Sequence, residues 1–274
     1  MYRLAEGTTG QFADVLIKQS GLPSSSLENL TVLDNACGSG IVTAKLMDGS
    51  ILSEDTRSKL DVTSADFADA MLAVLNGITQ SKGWPVTVVK ADAMDTQLAS
   101  SHFTHILFSF GPMLMKDPMA SIRECMRMLQ PGGTLGINTW MHVPWIEEYR
   151  PFFDARPDLP VYPKTETEVF SMFSESPGVW HKVEEVKDHL ESAGFQDITV
   201  NAVTRTMSYP LEDVVLMLPP TLGMLTTKLW REEDRQNLLP QTLKDAEQYL
   251  RQKHTDGSVT WTWTAAVATG RKQG

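Results

Sequence analysis

Basic residues and long apolar runs are scarce in this sequence, and both shortages exclude classes of partner. Lys and Arg number 24 against 34 Asp and Glu, which gives a net charge of -10. A nucleic acid is bound by a concentrated basic face, so no nucleic acid is expected as a partner. No apolar stretch approaches the roughly 20 residues that span a bilayer, so no membrane partner is expected either.

Cysteine is equally scarce, with two residues in the whole chain. Cys37 and Cys125 both fall in segments with the pattern of core elements, which fits a reducing compartment better than a disulfide framework. The opening segment carries charges throughout and lacks the apolar stretch of a secretory signal. The cytoplasm is therefore the expected location. No Cys and His cluster has metal-ligand spacing, so no metal is expected.

What the sequence does contain is a regular alternation of strand-like and helix-like segments. The strand-like segments are rich in Val, Ile and Leu, and they include LTVLDN (30–35), DVTSAD (61–66), PVTVVKAD (85–92), HILFSFG (105–111) and PGGTLGINTW (131–140). Such strands alternating with amphipathic helices are typical of a mostly parallel sheet covered on both faces. A doubly wound α/β fold is predicted, in which ligands sit at the carboxyl ends of the strands.

The first of these strands runs directly into a glycine turn, in the stretch VLDNACGSG at 32–40. A strand, a glycine turn and a helix suggest a nucleotide-type site. A dinucleotide fits poorly, because Thr43 stands where the third glycine of that fingerprint belongs and Asp34 would face a pyrophosphate. S-adenosylmethionine (SAM) carries an ammonium and a sulfonium and no phosphate, and a carboxylate favours both cations directly or through water.

The turn resembles motif I of the class I SAM-dependent methyltransferases, a strand ending in an acid followed by DxGxGxG. The matching positions are Asp34, Ala36, Gly38 and Gly40. Since Ala36 replaces the first glycine, the turn is expected to form without a positive φ at Ala36. The stretches SADFADAML, VVKADAMD, FTHILFSFG and LQPGGTLGI resemble the later motifs of the same family, in the same order.

This resemblance implies the remaining cofactor contacts. Asp66 would bind the ribose hydroxyls, Phe67 and Met71 would flank the adenosine, and Asp92 would accept from the adenine amino group. Ala93, Met94 and Phe108 would complete the cofactor surface. The family also implies a seven-stranded sheet in which a reversed final hairpin joins the DITVNAVT and WTWTAAVAT segments.

Residues 141–180 break the alternation, since they are dense in Pro and aromatic residues. We interpret them as a cap over the mouth of the sheet. The predicted organisation is a single domain over 1–274. It comprises an N-terminal helical lid at 1–29, a SAM-binding core at 30–140, the cap at 141–180, and the C-terminal part of the sheet with a helical insertion at 181–274.

The motif order is similar to UbiE-like proteins and to small-molecule methyltransferases of fungal specialised metabolism. The resemblance therefore implies methylation of a small natural product, with a hydroxyl as the preferred acceptor. A thiol or an amine is the alternative acceptor. Two other classes remain open: a SAM-fold regulator or cyclase that transfers no methyl group, and a nicotinamide oxidoreductase.

Methylation of a hydroxyl usually needs a base with a pKa near the working pH. His142 follows the fifth strand next to Trp140 and Trp145, so it is the candidate base. His181, beside Trp180, is a second candidate base, and it is a candidate substrate contact together with Trp140 and Trp145. Aromatic residues at strand ends favour an apolar substrate pocket and attract a sulfonium.

Overall fold

The strands form one mixed sheet at the centre of the molecule. A computed structural model of the protein describes residues 2–172 and 180–274, with side chains from Gly7 onward. The described residues form a seven-stranded sheet of β1 (Leu30–Asn35), β2 (Leu60–Asp66), β3 (Val86–Lys90), β4 (Phe103–Ser109), β5 (Leu129–His142), β6 (Gln196–Pro210) and β7 (Ser258–Arg271).

The strand order is β3-β2-β1-β4-β5-β7-β6. The first five strands are parallel, and β7 runs antiparallel to both β5 and β6. This confirms the predicted α/β fold with its mostly parallel sheet and reversed final hairpin. The order also reverses between β1 and β4, and such a switch point is where an open α/β sheet leaves a crevice for a ligand.

Helices cover both faces of the sheet and join its strands. Those formed by the described residues are α1 (Tyr2–Gln19), α2 (Ile41–Met47), α3 (Glu54–Ser58), α4 (Asp69–Lys82), α5 (Pro118–Met128), α6 (Trp145–Asp154), α7 (Glu166–Phe170), α8 (Val183–Ser192), α9 (Leu211–Leu229) and α10 (Glu232–Lys253). In this described part of the chain, no helix is long and apolar enough to cross a membrane.

Helix α1 lies closely on the sheet. Phe12 and Leu16 are completely buried. A Cβ at Gly136 of β5 would come within 2.9 Å of the Leu16 side chain, so glycine at this position allows the close approach. Within the segment 1–29, predicted as a helical lid, this helix covers Tyr2–Gln19.

The last strand shows how a two-residue period divides its side chains between two environments. Trp261 and Trp263 are buried on one face. Thr260, Thr262 and Thr264 point to the other face, where their hydroxyls bond to hydroxyls of β6. The WTWT repeat therefore places two indoles toward the core and the site.

Two helices, α6 and α7, lie within the predicted cap. Most apolar residues of α6 are buried, including Trp145, Tyr149 and Phe152. Residues 173–179 of the predicted cap lie outside the described residues, as does Met1 of the predicted lid.

Candidate active site

The glycine turn is built around Asp34, whose side chain is 1% exposed. Its Oδ2 accepts hydrogen bonds from the backbone N–H of Thr43 at 3.0 Å and from the Thr43 hydroxyl at 2.6 Å. Gly40, which precedes α2, has no side chain to cap that helix. Asp34 therefore supplies from the strand the carboxylate that a capping residue normally provides.

Burial makes the carboxyl group of Asp34 a weaker acid than usual. Desolvation raises the pKa of Asp34 from 3.8 to about 7, against the lowering effect of the Thr43 hydrogen bonds. We expected Asp34 to favour a bound cation directly or through water. The structure instead turns the carboxylate toward the start of α2, so almost none of its surface is open to a ligand.

Ala36 corrects the expectation for this turn. Its φ is +50°, in the left-handed region that we predicted it would avoid. This conformation costs a residue with a Cβ roughly 1–2 kcal/mol. Two backbone hydrogen bonds of 2.9 Å fix the turn, from Cys37 N to Ala65 O and from Gly40 N to Cys37 O. They constrain the backbone of Ala36 to this conformation.

Asp66 ties the turn to the next strand. Its Oδ2 accepts from the N–H of Gly38 at 2.8 Å, and its Oδ1 accepts from the N–H of Ala68 at 2.9 Å. A carboxylate oxygen has more than one acceptor site, so both oxygens retain capacity for ribose hydroxyls. Gly38 has a φ of +54° and nothing within 4 Å of where a Cβ would stand, so space lies open above the turn.

An apolar surface continues from Asp66. Phe67 is 68% exposed and Met71 is 40% exposed, which is unusual for side chains of this size. Asp92 is also exposed and bonds locally, accepting from the N–H of Met94 at 2.9 Å. These side chains follow β2 and β3, at the edge of the sheet that carries the glycine turn.

The other predicted cofactor residues lie deeper. Ala93 is 6% exposed, and Phe108 is completely buried. The Phe108 ring fills the space beside Gly111, where a Cβ would come within 1.9 Å of it. In this structure, therefore, Phe108 has no surface for a cofactor to contact. Met94 is partly buried and accepts a hydrogen bond from the N–H of Asp117 through its sulfur.

A cavity of about 370 Å³ opens beyond the carboxyl ends of β4 and β5. We call it the acceptor pocket. Its lining is Thr8, Thr9, Phe110, Met113, Leu114, Trp140, Val143, Trp145, Val169, Phe170, Met217, Pro220, Thr221, Met224 and Trp263. The predicted substrate residues Trp140 and Trp145 are among them. Strand β4 pairs with β1, so the pocket begins one strand away from the glycine turn.

Stacked aromatic rings form the floor of the acceptor pocket. The rings of Phe110 and Trp140 stack with centroids 4.0 Å apart, and Trp263 follows at 4.9 Å from Trp140. Phe12 of α1 meets Phe110 and Trp140 edge-on. Phe110 has a φ of +55°, and its N–H donates to Asn138 O at 2.9 Å. A bulky residue in this conformation is strained, and strain of this kind clusters at functional sites.

No acidic or basic side chain lines the acceptor pocket within the described residues. Apart from the tryptophans, its lining residues with a polar side-chain group are Thr8, Thr9 and Thr221. The hydroxyls of Thr8 and Tyr209 also share a hydrogen bond of 2.9 Å. The pocket is therefore suited to a neutral, largely apolar molecule.

The two candidate histidines lie outside this lining. His142 bonds through Nδ1 to Glu166 Oε1 at 2.9 Å, and it faces a separate cavity with Glu147 and Glu148. His181 Nε2 lies 2.9 Å from the Thr167 hydroxyl, and burial lowers its pKa. The structure thus brings both histidines to helix α7 and not to the pocket.

Helix α9 contributes residues that the sequence did not single out. Met217, Pro220, Thr221 and Met224 form one wall of the acceptor pocket. The pattern of α9 resembles an ordinary scaffold helix. The adjacent prolines Pro219 and Pro220 were its available signal, because proline inside a helix removes hydrogen bonds and usually has a reason.

Comparison with known proteins identifies the family of this chain. Residues 33–137 match the model of a methyltransferase domain family. The chain is 33% identical to acetylaranotin bis-thiomethyltransferase from Aspergillus terreus, over 99% of this chain and 93% of that protein. This chain belongs to the SAM-dependent methyltransferases. It is also 30% identical to methyltransferase tpcH from Aspergillus fumigatus, over 95% of this chain and 91% of that relative.

A solved structure shows the same fold at greater distance. The methyltransferase superposes on phosphoethanolamine N-methyltransferase 2 of Haemonchus contortus, bound to SAM, with a TM-score of 0.55 and 14% identity. The match covers 96% of this chain and 53% of that one. At this identity the likeness concerns the fold alone.

Proposed function

We propose that this methyltransferase methylates a thiol of a small, neutral, largely apolar molecule bound in the acceptor pocket. One observation carries the proposal: among the described residues that line the pocket, none is acidic, basic or otherwise able to remove a proton near neutral pH. An acceptor that needs no enzymatic base fits such a pocket best.

The glycine turn and its neighbours fit SAM. Gly38 leaves open space for a ligand to approach the backbone, and Asp66 retains acceptor capacity for two hydroxyls. Phe67 and Met71 offer an exposed apolar surface for a nucleoside, and exposed Asp92 offers a carboxylate to an amino group. When bound, SAM supplies a methyl group activated by a positive sulfur. The role of this edge of the sheet is then to hold that group in place.

The acceptor pocket contributes alignment and exclusion of water. A thiol has a pKa near 8.5, so a useful fraction is thiolate at neutral pH, and thiolate is a strong nucleophile. The thiolate sulfur, whose proton has passed to solvent, would form the new bond to the methyl carbon as the bond from that carbon to the sulfonium sulfur of bound SAM breaks. Phe110 and Trp140 hold the acceptor scaffold next to the reacting edge, and contact in a dry site lowers the barrier.

A relative supports the choice of sulfur, because the protein of Aspergillus terreus is named a bis-thiomethyltransferase.

A hydroxyl acceptor, the initial prediction, stays a second candidate for one reason. His142 is held by a carboxylate, as catalytic bases often are. It would have to reach the acceptor from outside the described lining of the pocket.

A set of matched acceptors tests the proposal. Thiophenol, phenol and aniline share one ring and differ in the accepting atom. Each is incubated with the protein and SAM, and methylated product is measured by mass spectrometry. We expect product from thiophenol and little from the other two. Faster methylation of phenol would favour the hydroxyl candidate. Binding of S-adenosylhomocysteine (SAH) with transfer to none of the three would favour a cyclase or regulator.

A further inference from the structure

Helix α7 forms one wall of the acceptor pocket but is too short to be stable alone. It contains five residues, and Val169 and Phe170 from its last turn line the pocket. An isolated helix of this length does not persist in water. Its position must therefore come from contacts with the rest of the protein.

Three contacts of this kind surround α7. Arg150 donates to the carbonyls of Pro163 and Lys164, just before the helix. His142 at the end of β5 bonds to Glu166, and His181 bonds to Thr167. Both histidines therefore bond to the first turn of α7.

The spacing along α7 explains why the contact with Glu166 matters. Residues three and four apart lie on one face of a helix, so Glu166 shares a face with Val169 and Phe170. Thr167 and Glu168 point to solvent, whereas Val169 is completely buried. A bond that fixes Glu166 consequently fixes the rotation of α7 and the direction in which Val169 and Phe170 project.

We propose that His142 is a positioning residue that acts through Glu166 to hold the α7 wall of the acceptor pocket, and that His181 supports it through Thr167. His142 then sets acceptor affinity and takes no proton from the acceptor. This inference rests on the proposed function for the site's location, and it assigns no role in catalysis to either histidine.

Variants of His142 separate positioning from base catalysis. Asparagine places its Nδ2 close to the position of histidine Nδ1, so His142→Asn keeps a donor for Glu166 but has no basic nitrogen. His142→Ala and Glu166→Ala each remove the contact. Glu147→Gln is the matched control, because Glu147 is exposed and lines the same cavity as His142, whereas the residue bonded to Glu166 is His142.

The measurements are SAH affinity, kcat, and the Kd and KM of thiophenol. Acceptor binding to the SAH complex is followed by tryptophan fluorescence, since Trp140, Trp145 and Trp263 line the pocket. For either alanine variant we expect acceptor Kd and KM to rise about tenfold, the loss of one hydrogen bond to a charged group. SAH affinity and kcat at saturating acceptor should stay unchanged, and His142→Asn and the control should remain within about twofold of the wild type.

Two results would overturn the inference. One is a kcat that falls as far in His142→Asn as in His142→Ala, which is the behaviour of a base. The other is wild-type acceptor affinity in both alanine variants. If the alanine variants do not fold, Thr167→Val tests the second anchor from an exposed position, with raised acceptor Kd expected and an unchanged Kd contradicting it. If the wild type binds thiophenol without methylating it, the proposed function fails, while the binding measurements still decide the role of α7.

Discussion

The glycine turn and the acceptor pocket adjoin along one edge of the sheet but are built in opposite ways. The turn is made of residues close in sequence, and its polar groups are buried and paired, as Asp34 with Thr43 and Asp66 with Gly38. The pocket gathers side chains from α1, β5, α7, α9 and β7, almost all apolar. Under the proposed function, binding of the methyl donor would depend on backbone geometry, whereas binding of the acceptor would depend on packing of distant elements.

The largest expected effect concerns protonation of the turn. A carboxyl group whose folded pKa lies above its unfolded value takes up a proton on folding, so stability falls as pH rises between the two values. For Asp34 this window runs from 3.8 to about 7. The loss is at most ~1.4 kcal/mol per pH unit. Asp34→Asn should remove this dependence of the free energy of unfolding on pH.

Urea unfolding of the wild type and Asp34→Asn at pH 5 and pH 7.5, without SAM, measures the effect. We expect the wild type to lose stability relative to the variant at the higher pH. An equal change in the free energy of unfolding between the two pH values in both proteins would mean that Asp34 takes up no proton on folding. The turn would then not differ from the acceptor pocket in holding a titrating group.

The second effect concerns the open space above Gly38. Gly38 and Gly83 both have positive φ, +54° and +65°, and nothing lies within 4 Å of a Cβ at either position. Replacement by alanine should cost each about 1 kcal/mol of stability through backbone strain. Gly83 ends α4, so Gly83→Ala is the matched control.

Isothermal titration with SAH separates the two glycines. Gly38→Ala should lose about tenfold or more in SAH affinity, because a methyl group blocks approach to the backbone. Gly83→Ala should bind like the wild type. Equal affinity in the two variants would place the cofactor elsewhere.

The smallest effect concerns charge at the rim of the acceptor pocket. Met224 and Leu216 are both exposed residues of α9, at 36% and 67%, but Met224 lines the pocket and Leu216 does not. Met224→Lys should weaken thiophenol binding by about fivefold, since a charge beside an apolar site is unfavourable. Leu216→Lys should leave binding unchanged, and SAH affinity should be the same in both.

Tryptophan fluorescence titration of thiophenol into the SAH complexes checks this pair. Similar weakening by both lysines would indicate a general effect of charge on α9. No weakening by either would remove Met224 from the acceptor pocket.

The contrast also explains what the sequence could predict. VLDNACGSG and the strand ends at Asp66 and Asp92 are local patterns, so the fold and the candidate cofactor edge followed from neighbours in the chain. The backbone of Ala36 did not, because its positive φ is imposed by hydrogen bonds to Ala65 and within the turn. Local propensity yields to such tertiary constraints.

The acceptor pocket was predicted only in part. Trp140 and Trp145 stood out as aromatics near the end of a strand, but Met217 and Met224 lie in a helix whose pattern suggests packing alone. His142 was interpreted as a base from its position just after the predicted fifth strand, and in the structure it is the last residue of β5. Its partner Glu166 lies 24 residues away in a segment without a regular pattern, so a bond between them was not foreseeable. Contacts between distant elements determine that half of the site.

The central claim is methyl transfer to sulfur without an enzymatic base, and the pH dependence of transfer tests it most directly. The ratio kcat/KM is determined from initial rates between pH 5 and 9, for thiophenol and for a second acceptor thiol whose higher pKa still lies inside this range. The account predicts that each rate rises with ionisation of its own thiol, so the two midpoints differ as the acceptor pKa values differ. A single midpoint shared by both thiols would reveal a group on the protein that takes the proton, and it would contradict the account.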